Sequence, residues 1–193
     1  MDAFRYVLSL MLVLAMPPAL LYWFLVHPFA AFWRRYGKVA VFAMLASLYA
    51  VSIAILWPLR DALLAVDYGT SGLTIGLGIP FLGVSAYLQY KRRKLLTFTV
   101  LSGVPEVDDA AYPGTLLREG IYARVRNPRY LELIFGLIGW SLILNYLAVY
   151  VTTLVTILAL YPITLLEERE LRQRFGDEYD AYCREVPRFI PRR

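Results

Sequence analysis

The sequence is poor in the side chains from which common catalytic centres are built. It has one cysteine, Cys183, and one histidine, His27. A single cysteine excludes an intrachain disulfide and any multi-cysteine metal site, and a single histidine excludes a histidine-rich one, so no metal is expected. The spacing of a zinc site, a Ser-His-Asp set and a glycine-rich phosphate loop are all absent. Charge is scarce too: 18% of residues are charged and 59% are apolar. The net charge of +5 does not point to nucleic acid, because the basic residues cluster in short stretches beside long apolar runs, where they set membrane orientation. Met1-Asp2 lacks the basic start of a cleavable signal, and the first apolar run is long enough to span.

Those apolar runs define the fold class, an all-α polytopic membrane protein with about five transmembrane helices. Tyr6 to Val26 is the first span, kinked by Pro17-Pro18. Val39 to Leu59 is the second and Leu73 to Tyr90 the third, in which Gly72 and Gly76 offer a small-xxx-small contact. Lys91-Arg92-Arg93-Lys94 stops the third span. A long segment punctuated by Gly103, Pro105, Pro113 and Gly114 follows, locally acidic at Glu106, Asp108 and Asp109. Leu131 to Leu166 is too long for one span and carries one charge, Glu132. It must turn back, best at Asn145-Tyr146, giving a short first arm and a longer second one. Beyond Leu166, Glu167, Leu171, Phe175, Tyr179, Tyr182 and Val186 recur on one helical face, with Gly176 a stop and Asp177 a cap for a last helix. Residues 1–193 thus read as one integral membrane domain, three spans over 1–90 and a loop, hairpin and tail over 91–193. Of the 20 lysines and arginines, 18 fall in the first and third loops and the tail. The positive-inside rule puts these in the cytoplasm and the N-terminus outside.

Polar, aromatic and acidic groups gather at both ends of the hairpin. Before it stand Gly120-Ile-Tyr122 and Arg126-Asn127-Pro128-Arg129-Tyr130; after it stand Glu167-Glu168. The spacing places Glu167 on the apolar face with Leu171 and Phe175, where an acid needs a partner, whereas Glu168 can be a charge that merely ends the span. Tyr122, Tyr130 and the Arg-Asn-Pro turn can be interfacial aromatics and a proline helix start. Equally, Asn127 can bind a polar ligand and the tyrosines a cation. His27 and Cys183 read as structural.

Taken in order, Gly120-Ile-Tyr122, Arg126-Asn127-Pro128-Arg129-Tyr130, Glu167-Glu168, Phe175-Gly176-Asp-Glu-Tyr179 and Val186-Pro187-Arg188-Phe189-Ile190-Pro191 resemble the isoprenylcysteine carboxyl methyltransferase and phospholipid methyltransferase superfamily. The resemblance covers roughly residues 95 to 193. It implies an integral membrane enzyme that uses S-adenosylmethionine to methylate a lipophilic acceptor drawn from the bilayer. It implies further that Tyr122, Asn127, Pro128, Arg129, Tyr130 and Glu167 line the cofactor pocket, together with Gly114, Thr115, Leu116 and Leu117. The frequent family histidine is Asn127 here. Prenylcysteine-specific relatives carry an arginine four residues before the position of Glu167; this chain has Ile163. The nearest replacements for a substrate carboxylate are Arg124, Arg126, Arg129 and Arg172, of which Arg126 and Arg172 are the expected substrate-binding pair. The leading expectation is isoprenylcysteine-type carboxyl methylation. Phospholipid N-methylation and a non-catalytic protein keeping the scaffold are the alternatives.

Overall fold

A computed structural model of the chain describes residues 2–95 and 115–190. Gly114, Pro191 and the punctuation expected in the long segment lie outside the described residues. The architecture is all-α: α1 (Asp2–Val26), α2 (Ala30–Leu56), a single turn α3 (Arg60–Leu63), α4 (Gly72–Arg93), a 3-10 turn (Gly120–Ala123), α5 (Pro128–Leu144), α6 (Leu147–Phe175) and α7 (Asp177–Glu185). Four of these, α1, α2 from Arg35 onward, α4 and α6, are long and apolar enough to cross a membrane. The fifth expected span, α5, has 17 residues, about 26 Å at the helical rise, and is the short arm of the hairpin.

The hairpin turns where the sequence places it. Asn145 takes the left-handed conformation (φ 59°, ψ 41°) that closes α5, a conformation Asn tolerates better than most residues. Its side chain is held on both sides, donating to Gly69 O at 2.9 Å and accepting from the Tyr150 hydroxyl at 2.9 Å. Arg5 lies buried at this same end. It donates to Leu144 O from Nε (3.0 Å) and Nη2 (2.7 Å), pairs with Asp67, and sits 5.0 Å from the centre of the Tyr146 ring. A lone buried arginine near a membrane is costly. Here it joins the start of α1 to the loop after α3 and to the α5–α6 turn. Asp67 is held below the ordinary carboxylate range although its burial pulls the other way, because Arg5 and the Gly69 N–H stabilise the charge.

α1 runs beside α6, with Leu10 and Val13 packed on Val149 near the Arg5 end and Leu20, Trp23 and Phe24 on Leu160 and Ile163 near the other. Pro18 removes the N–H that would bond Leu14 O, and the Ser52 hydroxyl of α2 takes that carbonyl at 3.1 Å. A proline break in a span is tolerated when a neighbour re-satisfies the freed carbonyl in this way.

α4 and α5 form the most extensive helix pair, and its basis differs from the expected Gly72–Gly76 contact. A Cβ at Gly72 or Gly76 would meet nothing within 4 Å. The approach is made by Gly78 and Gly139 instead: a Cβ on Gly78 would lie 2.8 Å from Gly139 O, and one on Gly139 2.7 Å from a Leu82 methyl. Spacing within one helix cannot reveal which glycine faces a partner. Gly78→Val should therefore cost about 1–3 kcal/mol, the usual range for overpacking, and Gly76→Val close to nothing. Thermal melting of the detergent-purified variants checks the difference.

Candidate functional site

At the end of the bundle opposite Arg5, the two glutamates of α6 divide the work differently from the sequence expectation. Glu168 is the buried one, 3% exposed. The reason lies in α6 itself, whose buried residues Val149, Thr153, Thr156, Leu160, Thr164 and Glu168 fall at helical spacing. That stripe runs the full helix and ends on Glu168, so its burial continues the span's inner face. Three groups hold its carboxylate. Arg188 donates to both oxygens, Nε to Oε1 at 2.9 Å and Nη2 to Oε2 at 2.7 Å; Asn127 Nδ2 donates to Oε1 at 3.1 Å; Arg126 Nη2 lies 3.2 Å from Oε1. Partners of this kind are what a buried carboxylate requires.

This carboxylate fixes the loop and the tail. Asn127 stands at the N-cap of α5, with Pro128 in the first turn, but its side chain bonds Glu168 rather than the helix end. The backbone repeats the connection, with Arg126 N–H to Pro187 O at 2.9 Å and Asn127 N–H to Arg188 O at 3.2 Å. Arg126 also donates to Cys183 O at 3.2 Å, and the Tyr182 hydroxyl donates to Tyr122 O at 2.7 Å. Burial pushes the Tyr182 hydroxyl up to about 12, so it donates at any physiological pH. Gly176 (φ 53°, ψ −131°) ends α6 and is itself the cap of α7. Asp177, expected as that cap, is the first helical residue, where its charge suits the helix dipole.

Glu167 lies one position round the helix, half-buried, and its Oε2 accepts a 2.5 Å hydrogen bond from Tyr130. Tyr130 packs on Leu160 and Ile163. Burial and then the Glu167 carboxylate raise the Tyr122 hydroxyl well above the ordinary tyrosine range, while Arg92 and Arg129 pull it the other way. Tyr122, Tyr130 and Glu167 thus share one place, where the Tyr122 hydroxyl stays protonated at neutral pH and the Tyr130 hydroxyl donates to Glu167.

The other expected site residues are distributed around this centre. Arg129 lies 4.5 Å from the centre of the Trp23 ring, a contact with α1 absent from the sequence reading. Leu116 packs against the tail cluster of Tyr179, Tyr182 and Val186; Thr115 is exposed and Leu117 half-buried. Of the expected substrate pair, Arg126 is committed to Glu168, and Arg172 pairs on the surface with Asp180 (Nε to Oδ1, 2.7 Å). Arg124 is exposed. His27, stacked on Trp23, bonds Glu170 at 3.0 Å and joins the ends of α1 and α6. Sequence reasoning missed Arg188, although it stands inside the Val-Pro-x-x-Ile-Pro motif. The signal was available: a charged residue between two prolines, beside a span that ends in an unpaired acid.

Membrane-length helices that gather a paired carboxylate, protonated tyrosines and a clamped tail at one end define an integral membrane protein with a built polar site. The chain belongs to the phospholipid methyltransferase family, whose model matches residues 73–178, more than half of its length. Methyl transfer at a membrane is the activity that family implies. No curated protein and no solved structure matches the chain.

Glu168→Gln leaves Arg126 and Arg188 without their counter-charge and should cost about 3 kcal/mol, the low end for breaking a buried pair. The tail should then be released. Trypsin should cut near Arg184 and Arg188 markedly faster than in the wild type, whereas Glu167→Gln should leave the digestion rate unchanged.

Proposed function

We propose that this protein transfers a methyl group from S-adenosylmethionine to the amine nitrogen of a membrane phospholipid. The observation that carries the cofactor half is the Tyr130–Glu167 hydrogen bond beside the Tyr122 hydroxyl. S-adenosylmethionine supplies an activated methyl on a sulfonium. The residues present suit it: phenol rings attract a sulfonium, and Glu167 keeps Oε1 to accept from an ammonium or a ribose hydroxyl. Asn127 and Pro128 serve this site indirectly, by fixing the start of α5 on Glu168, and Arg129 by tying it to Trp23.

Transfer is an in-line displacement. The acceptor nitrogen, its proton released to water, would present its lone pair to the methyl that S-adenosylmethionine supplies when bound, the bonding pair of the sulfonium passing to sulfur. What the protein contributes is near-attack geometry in a water-poor site.

The acceptor half rests on where the arginines go. Methylating a prenylcysteine carboxylate requires a cation for a charge brought out of water. Ile163 stands where prenylcysteine-specific relatives have that arginine, and Arg126, Arg129 and Arg172 are engaged by Glu168, Trp23 and Asp180. The arginines expected to hold a substrate carboxylate are thus committed elsewhere, and the family match favours an amine. The charge distribution supports a cytoplasmic site, since its loops and tail hold most of the lysines and arginines.

Three measurements test this reading. Labelled S-adenosylmethionine, offered with phosphatidylethanolamine, a farnesyl-cysteine and its methyl ester, should label the phospholipid. Label on farnesyl-cysteine but not its ester would establish carboxyl methylation instead, and no label on any would favour the non-catalytic alternative. Glu167→Gln should weaken S-adenosylmethionine binding by about 1.5–3 kcal/mol, the range for a hydrogen bond to a charged group. A C-terminal reporter active only outside the cytoplasm should be silent; activity would reverse the orientation.

A further inference from the structure

One cation in the last turn of α4 is built into the protein in a way that a charge stopping a span does not require. Arg92 is 6% exposed. Its Nε lies 2.8 Å from Glu132 Oε2, and its Nη2 donates to Glu132 Oε1 at 3.1 Å. Gln89 Nε2 donates to the same oxygen at 3.1 Å, and the Ser85 hydroxyl takes the Glu132 carbonyl at 2.9 Å. The guanidinium is planar, permanently charged and rigid in its fork, so Glu132 fixes where its remaining face points. That face carries Nη1, which is buried and has no hydrogen-bond partner among the described residues. A buried charged donor without an acceptor is rare in folded proteins and calls for a ligand or water.

Arg92 stands between the third span and the site. Glu132 is one turn into α5 from Pro128 and faces α4, on the side of α5 away from Tyr130. Leu95, three residues after Arg92, covers Gly120 so closely that a Cβ there would lie 2.7 Å from its methyl. Tyr122 follows two residues later, and its hydroxyl feels the Arg92 charge. The depth is also marked. Lys91 and Lys94 lie 5.6 and 4.5 Å from the ring centres of the exposed Tyr87 and Tyr90. Such tyrosines and lysines occupy the headgroup layer, which is the layer of lipid phosphates.

We propose that Arg92 is the acceptor's anion-binding residue: Nη1 takes a phosphate oxygen of the amine-bearing phospholipid, with Glu132 as its positioning residue, and so aims the headgroup nitrogen at Tyr122 and Glu167. This rests on the reading of the site as a methyltransferase centre. It adds a specificity element, recognition of the phosphate as well as the amine.

The test compares wild type, Arg92→Lys and the double variant Arg92→Gln/Glu132→Gln in mixed micelles. The double change leaves no orphaned charge, so its fold is retained. For the double variant the KM for phosphatidylethanolamine should rise about ten-fold or more, as expected for loss of a charge-assisted hydrogen bond. The kcat should stay within a factor of a few and the affinity for S-adenosylhomocysteine should not change. A phosphate-free long-chain ethanolamine should be methylated equally by both proteins. Arg92→Lys, a point charge without the fork, should fall between.

A fall in S-adenosylhomocysteine affinity with an unmoved lipid KM would assign Nη1 to the cofactor's carboxylate and overturn the proposal. No change in either would reduce the ion pair to a structural one. A rise confined to the KM for farnesyl-cysteine would make the anion a carboxylate and overturn the phosphate assignment. If the wild type methylates no lipid, the methyl-transfer reading fails separately. Lipid retention seen by native mass spectrometry then decides: preferential retention of phosphatidylethanolamine over the phosphate-free amine, lost in the double variant, would uphold the anion site, and equal retention would overturn it.

Discussion

The structure at its polar end depends on one carboxylate that cannot be left alone. Glu168 sits at the end of the inner stripe of α6, where water is excluded, and its charge is tolerable only with several donors around it. Those donors come from both sides in sequence: Asn127 and Arg126 from the loop before α5, and Arg188 from the tail after α7. Satisfying the charge therefore closes the chain on itself. The start of α5, the 3-10 turn carrying Tyr122 and the tail are all positioned by it. The neighbouring Glu167 is left half-buried and engaged by a tyrosine. Two adjacent identical residues thus have different surroundings, one buried between arginines and one half-buried against a tyrosine.

The opposite end repeats the principle with the sign reversed. There a buried cation, Arg5, is surrounded by the Leu144 carbonyl, Asp67 and the Tyr146 ring. Between the two ends the helices meet through small residues and aliphatic contacts, as expected where lipid removes the hydrophobic incentive for helices to associate. Fold specificity then comes from the charged knots at the two ends and from the glycine contact of α4 with α5 between them.

Much of this was legible in the sequence, and what was not has a physical reason. Run length and the Asn145-Tyr146 break gave the spans and the hairpin, because hydrophobic length and turn chemistry are local properties. Burial falls on Glu168 rather than Glu167 because in a membrane helix apolar periodicity does not mark the inward face. In α6 the lipid-facing side is the apolar one, with Leu154, Leu158 and Leu165 exposed, while Thr153, Thr156 and Thr164 are buried. The threonines were the informative pattern, and they lead to Glu168. Gly78 and Arg92 were out of reach for a different reason. Which glycine meets a neighbour, and which of four consecutive cations turns inward, depends on the rotation of α4 against α5.

The disparity between α5 and α6 has a consequence for the membrane itself. Seventeen residues lie beside 29, so a bilayer beside α5 meets a rod of about 26 Å, against the roughly 30 Å of an ordinary hydrocarbon core. Such mismatch is met by local thinning at a modest cost per ångström. Thinning of this kind would be greatest at the α4–α5 side of the bundle. The packing of the short arm beside α6 is then tied to the thickness of the membrane that holds it.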